Sequence, residues 1–351
     1  MYLRSAVVLL IAVLVNAESN IVLNGTYAAC DGGYCMPKHL CPTGRINDVS
    51  NLGPNRLVTV RIGEENECGD FMKICCKNPE QINYKCGVSN PQGMVYDVES
   101  ELTYAKYAEF PWTVVIFQKA SSGNNPMLAH VGGGSLIHPK FVVTTAHTLK
   151  DSQRYVARFG EWDMESDGEI YPTQDIEIWE TIKHPHFRDV SPPENDVALA
   201  VLKENVIYSE HIRPLCIPSA QDNFDGQRCI ASGWGLDVRT GQPPAMMKRM
   251  ELNVLSHTRC LTSFYLFGLI VMLHDSNKCV SAVQDQNYCF RDGGTSLACQ
   301  RADGSYVLAG LPSWVLYCNI PAVPAGILDV TKFAHWINET IEEYEEPKSK
   351  L

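Results

Sequence analysis

Several short motifs in the later part of the sequence contain residues that could do chemistry. They are Gly133-Gly134-Ser135-Leu136-Ile137, Thr145-Ala146-His147, Asn195-Asp196-Val197-Ala198-Leu199, Ser232-Gly233-Trp234-Gly235 and Cys289-Phe290-Arg291-Asp292-Gly293-Gly294. A histidine base, a carboxylate that orients it and a hydroxyl nucleophile are the parts of nucleophilic acyl transfer. Histidine and aspartate are present in these motifs, so the question is whether a nucleophile accompanies them.

In this order, and preceded by Phe110-Pro111-Trp112, the motifs resemble the trypsin-like serine protease domain over residues 110–345. The resemblance implies an all-β fold of two six-stranded β-barrels with a C-terminal helix, and a site in the cleft between the barrels. It also implies that His147 takes the place of the base, Asp196 that of its orienting group and Gly293 that of the nucleophile.

The nucleophile itself is missing. The family's motif reads Gly-Asp-Ser-Gly-Gly-Pro, whereas the same stretch here reads Arg291-Asp292-Gly293-Gly294-Thr295-Ser296. Thr295 and Ser296 follow two and three residues later, and backbone steps of ~3.3–3.8 Å each carry their hydroxyls beyond the reach of His147. Loss of the triad nucleophile costs on the order of 10⁶ in turnover in subtilisin. We therefore predict a pseudoprotease, and we disfavour an active hydrolase that uses Thr295 or Ser296.

The substrate-binding positions depart from the family as well. Arg291 replaces the glycine whose amide helps to form the oxyanion hole. The bottom of the specificity pocket corresponds to Asn287, where trypsin-like members need aspartate. Its walls correspond to Val315 and Ala325, where open-pocket members have glycine. The remnants of this pocket are therefore expected to bind substrate poorly.

The activation signal is absent too. Family members are cut before Ile-Val-Gly-Gly, and the new amino group pairs with an aspartate that here corresponds to Asp292. The basic residues Lys77, Lys85 and Lys106 precede no such tetrapeptide. Cleavage of the family type is therefore not expected.

No cofactor is expected. Glu161 and Glu169 bound a stretch that resembles the calcium-binding loop of some family members, and they are weak calcium candidates. The sequence contains no Cys-x-x-Cys and no pair of histidines at helical spacing, which argues against a structural zinc site.

The fourteen cysteines predict seven disulfides and no free thiol. Six of them lie within residues 30–76 and end in the adjacent pair Cys75-Cys76; their spacing alone leaves the connectivity open. This group resembles the clip domain of arthropod extracellular protease cascades, which implies the pairs Cys30–Cys75, Cys35–Cys68 and Cys41–Cys76. The resemblance to the protease domain implies Cys86–Cys216, Cys229–Cys299, Cys260–Cys279 and Cys289–Cys318.

The first residues predict export. Arg4 precedes an apolar run from Ala6 to Val15, and Val15-Asn16-Ala17 resembles a signal-peptidase site, so residues 1–17 are interpreted as a signal peptide. A second apolar run, Phe264 to Leu273, is likewise too short to span a bilayer. Sequons at Asn24 and Asn338 are candidate glycosylation sites. We expect a secreted, extracellular glycoprotein.

Four parts are predicted along the chain: the signal peptide, a clip domain over 30–76, a turn-rich linker over 77–109 and the trypsin-like domain over 110–345. Short β-rich runs at 112–117, 141–145 and 197–202, separated by turns, favour β-barrels. One helix is predicted from Thr331 to about Tyr344, with apolar side chains on one face.

The net charge of the chain limits which classes of partner it can bind. The chain carries 29 basic and 40 acidic residues, a net charge of −11, with no basic stripe, so nucleic acid and anionic membranes are poor candidates. The resemblance to non-catalytic, masquerade-like clip-domain homologues implies a cofactor or scaffold in an innate-immune proteolytic cascade. Prophenoloxidase activation and melanisation would be its setting, with clip-domain proteases or prophenoloxidase as partners. A microbe-binding or adhesion protein and a negative regulator of the cascade are the alternatives.

A cleavage switch is predicted in the clip domain. The long stretch between Cys41 and Cys68 contains Arg45, Arg56 and Arg61, each followed by an aliphatic residue. Long exposed loops are where proteases cut. We hypothesise that a trypsin-like enzyme cleaves after one of these arginines.

Overall fold

The computed structural model describes residues 27–31, 33–37, 40–41, 68–70, 73–77, 84–94, 103–119, 128–166, 169–237, 240–283, 288–318, 320 and 322–345. The predicted signal peptide, Asn24, the candidate cleavage residues Arg45, Arg56 and Arg61, and the pocket residue Asn287 lie outside the described residues.

The N-terminal part is a small antiparallel sheet that disulfides cross-link. Its strands β1 (Ala29–Cys30), β2 (Gly33–Pro37) and β3 (Lys73–Lys77) pair in the order β1-β2-β3. The bond Cys30–Cys75 joins β1 to β3, whereas Cys35–Cys68 and Cys41–Cys76 join β2 and β3 to residues outside the sheet. So small a sheet buries few apolar side chains, and cross-links supply the stability that a core would otherwise give.

The first barrel closes in the order β4-β5-β6-β9-β8-β7. Its strands are β4 (Thr113–Lys119), β5 (Leu128–His138), β6 (Phe141–Thr144), β7 (Tyr155–Phe159), β8 (Gln174–Lys183) and β9 (Ala198–Leu202). β6 and β9 are buried along their whole length, which explains their continuous apolar sequence.

The second barrel closes in the order β10-β11-β12-β15-β14-β13. Its strands are β10 (Arg228–Gly233), β11 (Lys248–Leu255), β12 (Asn277–Ala282), β13 (Leu297–Gln300), β14 (Tyr306–Trp314) and β15 (Ala325–Asp329). One core cluster includes Val115 and Phe141 of the first barrel together with Leu308 and Leu328 of the second. The barrels therefore pack on each other through a shared apolar core, and the predicted double-barrel fold is confirmed.

Two helices accompany the barrels. The predicted C-terminal helix begins with a 3₁₀ turn, Val330–Phe333, and continues as α2 (Ala334–Glu345), which buries Ile337 and Ile341. The sequence analysis did not predict α1 (His257–Leu266). No helix among the described residues is long and apolar enough to cross a membrane.

The described parts of the segment 77–109 pack on the barrels. Tyr84 belongs to the core of the first barrel, and Ala105 is fully buried in the shared core. Cys86 is bonded to Cys216, and Glu109 forms an ion pair with Arg249 of β11 at 3.2 Å. The boundaries at 30–76, 77–109 and 110–345 stay predictions.

Candidate functional site

The histidine and the aspartate of the candidate triad meet between β6 and β9. His147 follows β6, and Asp196 precedes β9, which pairs with β6 in the barrel. His147 Nδ1 lies 2.7 Å from Asp196 Oδ2, and the His147 backbone N–H donates to Asp196 Oδ1 at 2.9 Å. The Ser313 hydroxyl donates to Asp196 Oδ2 at 2.6 Å. The carboxylate is thus fully buried and held by three donors, so the orienting half of a triad is intact.

The charge of Asp196 acts on the imidazole. Burial of the ring opposes protonation, but the hydrogen bond and the charge of Asp196 outweigh it, so the pKa of His147 is raised above 6.5. A histidine with this partner could serve as a base if a nucleophile stood beside it.

Gly293 occupies the place beside the base. A Cβ built on Gly293 would lie 3.1 Å from His147 Nε2 and 3.4 Å from His147 Cε1. A side chain at residue 293 would therefore be within reach of the base, and glycine supplies none. The structure has the base and its orienter but has no reacting hydroxyl at this position.

The neighbouring hydroxyls do not take over this task. The Thr295 hydroxyl donates to the backbone oxygen of Asp292 at 2.8 Å and is buried. Ser296 is fully buried, and its hydroxyl oxygen has no hydrogen-bond partner among the described residues. A nucleophile must be accessible to a substrate carbonyl, so neither residue replaces the missing serine.

Asp292 is held by a lysine of the same chain. Lys248 Nζ lies 2.7 Å from Asp292 Oδ2, and both side chains are almost completely buried, at 3% and 0% exposure. The carboxylate also accepts backbone N–H groups from Gly235 at 2.9 Å and from Cys289 at 2.8 Å. A Cβ on Gly235 would approach Asp292 Cγ to 2.1 Å, so only glycine allows this contact. The Lys248 ammonium therefore pairs with the Asp292 carboxylate. By the family resemblance, this carboxylate would otherwise pair with the amino terminus that activation cleavage creates.

Arg291 keeps a backbone conformation that suits glycine. Its φ is 71°, in the left-handed region, which costs a non-glycine residue roughly 1 kcal/mol. Its side chain is exposed. The loop therefore holds a strained arginine where the family's oxyanion hole has glycine.

A buried tyrosine that the sequence analysis did not single out packs beside the predicted pocket walls. Tyr288 is buried, and its hydroxyl donates to the Gly326 backbone oxygen at 3.1 Å. It belongs to the same core cluster as Ala325, and Val315 packs against that cluster. The two residues predicted as pocket walls therefore lie in or against the apolar core of the second barrel.

The weak calcium candidates form a carboxyl pair. Burial and the neighbouring Glu169 raise the pKa of Glu161 to about 8, and a side-chain hydrogen bond joins the two groups. The Arg158 guanidinium donates to Glu161 Oε2 at 3.2 Å, and the Trp162 N–H donates to Oε1 at 3.0 Å. A cation bound here would compete with the Arg158 guanidinium for Glu161.

Other predicted positions are placed as follows. Asn338 lies exposed on α2, where a glycan would meet no neighbour in the core. By the family resemblance, Thr148 and Gly132 stand where members of the family have a further disulfide; they lie close together, since a Cβ on Gly132 would be 2.9 Å from Thr148 Cγ2. The remaining disulfides are Cys229–Cys299, Cys260–Cys279 and Cys289–Cys318, with the partners that the family resemblance implies.

Lys248 could have been found from the sequence pattern. In β11 the residues Lys248, Met250, Leu252 and Val254 alternate with less buried neighbours and share the inner face. A lysine in register with three buried apolar residues signals a buried partner of opposite charge. Ser313 and Tyr288 offer no comparable signal in the sequence.

Comparisons with known proteins identify the family. Residues 102–337 match the family described as Trypsin. The "Inactive CLIP domain-containing serine protease A8" of Anopheles gambiae is 43% identical over 327 residues, covering 89% of this chain and 90% of the relative. The "Phenoloxidase-activating factor 2" of Galleria mellonella is 31% identical and covers 75% of this chain and 90% of the relative.

A solved structure supports the fold alone. Mouse neuropsin, a serine protease, superposes with a TM-score of 0.57 at 23% identity, covering 68% of this chain and 98% of that chain. The alignments with the two Anopheles gambiae relatives named inactive each cover 89% of this chain.

Proposed function

This chain belongs to the trypsin family, as an inactive clip-domain serine protease homologue, and from that premise we propose that it is a secreted, non-catalytic cofactor in an extracellular proteolytic cascade. Its task would be to bring an activating clip-domain protease and prophenoloxidase together, so that phenoloxidase activation and melanisation follow. The name phenoloxidase-activating factor of one relative supports this setting.

Gly293 carries the proposal. The chain is a pseudoprotease in which a formed His147–Asp196 pair faces a residue without a side chain. A folded double barrel that cannot form an acyl-enzyme would act by binding other proteins through its surface.

The Lys248–Asp292 pair supports the same proposal. In the family, the loop around this aspartate depends on cleavage for its amino-group partner. Here the partner is part of β11, and the loop is held without any cut. The double barrel can therefore present one constant surface before and after proteolysis elsewhere in the chain.

The partners and location are part of the proposal. Seven disulfides suit an oxidising compartment outside the cytoplasm. The net charge of −11 favours partners with basic surfaces over nucleic acid or anionic lipid.

Reconstitution tests the proposal. The secreted chain is added in equimolar amount to an activated clip-domain protease and prophenoloxidase, and phenoloxidase turnover is followed. We expect a several-fold increase over protease and prophenoloxidase alone, with no labelling of the chain by a serine-hydrolase phosphonate probe. Unchanged turnover together with capture of the chain on microbial cell walls would replace the proposal by adhesion, and reduced turnover would make the chain a negative regulator.

A further inference from the structure

Outside the cleft, the end of α1 and the segment after it expose large apolar side chains. Tyr265 is 73% exposed, Leu266 78%, Phe267 46%, Ile270 92% and Met272 87%. We call these five side chains the 265–272 surface. They belong to the apolar run Phe264 to Leu273, which is too short to span a bilayer and which the proposed cofactor role does not use.

This surface is held by a built support rather than by a loose loop. Phe264 is fully buried and stacks on Trp314 of β14 with ring centroids 5.8 Å apart. The disulfide Cys260–Cys279 ties α1 to β12. The backbone N–H of Leu269 donates to the Phe264 oxygen at 3.0 Å, which closes the end of the helix. The exposed side chains therefore stand on an anchored frame.

Burial alternates along residues 269–273. Leu269, Val271 and Leu273 are partly buried and pack against the cluster of Phe264. Ile270 and Met272, which alternate with them, point away from that cluster and are almost fully exposed. An extended segment with one packed face and one free apolar face is typical of a contact surface.

The size of the surface matches that of one side of a protein interface. Its side chains expose roughly 700 Å², more than the ~300–600 Å² of the largest apolar patch on a typical monomer. Two such faces in contact would bury about 1,400 Å², which is within the standard size for a stable complex.

The composition of the surface fits contact with an identical face. Residues 260–273 contain no charged side chain, so a twofold contact of this face with itself buries no unpaired charge. Aromatic residues and methionine are enriched at the centre of protein interfaces. A lipid surface is a poorer occupant because the basic residues that draw such a segment to anionic membranes are absent from it.

We propose that the 265–272 surface is the contact between two copies of this chain, which form a twofold dimer in solution. The proposal goes beyond the cofactor function and does not depend on it.

Sedimentation velocity of the full secreted chain from about 1 to 100 μM tests the proposal. We expect the wild type to approach twice the monomer mass at the upper concentrations. Ile270→Asp is expected to weaken the dimer at least 10-fold, about 1.4 kcal/mol. The double variant Leu266→Asp/Ile270→Asp is expected to stay monomeric. Ile207→Asp, at an exposed isoleucine of the first barrel, is the matched control and should dimerise like the wild type.

Two further measurements separate the alternatives. Near-UV circular dichroism and the thermal midpoint establish that each variant is folded. Co-sedimentation with phosphatidylcholine vesicles tests lipid as the occupant. A wild type that is monomeric at the highest concentration overturns the proposal, whether or not it binds vesicles. A dimer that persists unchanged in the folded double variant overturns it as well.

Discussion

Residue 293 decides whether the chain can catalyse, because it lies beside the base His147 and, as glycine, carries no nucleophile. Asp196 orients His147. On the loop after Gly293, the Thr295 hydroxyl donates to a backbone oxygen, and the Ser296 hydroxyl is buried. The oxyanion corner and the specificity pocket differ as well, through Arg291 and through the residues at the predicted pocket walls. Because the nucleophile, the oxyanion corner and the specificity pocket are changed at different residues, restoring one of them is not expected to restore catalysis.

Gly293→Ser is therefore expected to leave the chain inactive. A serine Cβ would be close to His147 Nε2, at 3.1 Å, but the predicted pocket walls Val315 and Ala325 would still lie in or against the apolar core of the second barrel. We expect amidase kcat/KM on peptide substrates to stay at the level of a matched Gly293→Ser/His147→Ala control. Turnover clearly above that control would show that the nucleophile alone had been missing.

The His147–Asp196 pair predicts a defined pH response. The pKa of His147 is raised in the folded chain, so the stability that the pair contributes is fully present below pH 6.5 and is lost as pH rises through the folded pKa. We expect an NMR titration of the imidazole, assigned with His147→Gln, to show a midpoint above 6.5.

The matching stability measurement uses the same variant. The difference in free energy of unfolding between wild type and His147→Gln should shrink as pH rises above 6.5. Asp196→Asn should lower the imidazole midpoint because it removes the charge that stabilises the imidazolium. A wild-type midpoint at or below 6.5 would contradict the assignment.

At the scale of elements, β11 supplies what proteolysis supplies elsewhere in the family. Its inward face carries Lys248 to the buried carboxylate of Asp292, at the loop that also holds Gly293. The ion pair is shielded from water on both sides, so removing one partner leaves the other charge unpaired in the core.

Lys248→Met is expected to lower the free energy of unfolding by about 3–5 kcal/mol, because Asp292 loses its cation. Urea unfolding with disulfides intact, followed by tryptophan fluorescence, measures this loss. Lys248→Met/Asp292→Asn removes the unpaired charge and should recover part of the loss, because the amide keeps only one acceptor oxygen for the N–H groups of Gly235 and Cys289. Lys203→Met, at an exposed lysine, is the control and should unfold near the wild type. Equal curves for Lys248→Met and Lys203→Met would exclude a supporting role for the buried pair.

At the scale of the whole molecule, a rigid double barrel is combined with a cross-linked N-terminal sheet. The pairs Cys35–Cys68 and Cys41–Cys76 bridge the stretch that contains the three candidate arginines. A cut within that stretch would create two new chain ends, while these bonds and Cys30–Cys75 keep the pieces together. Such a switch needs no catalytic group in this chain.

Replacing Arg45, Arg56 and Arg61 by glutamine is expected to block cleavage by an activated trypsin-like clip protease. The wild type should run as one species on a non-reducing gel and as two fragments after reduction. The triple variant should stay intact in both lanes and lose any gain in phenoloxidase turnover. A triple variant that is still cut and still active would place the switch elsewhere.

The order of the motifs and the glycine at 293 determined the fold class and the loss of chemistry from sequence alone. A residue without a side chain offers no hydroxyl in any fold. The partner of Asp292, the tyrosine beside the predicted pocket walls and the exposure of the 265–272 surface depended on the tertiary structure. Each of these features arises when strands that are distant in the sequence close the second barrel. Burial of Asp292 requires a cation beside it, which Lys248 supplies, and closure brings Tyr288 to Gly326. Packing of Phe264 on Trp314 leaves the side chains of the 265–272 surface exposed to water.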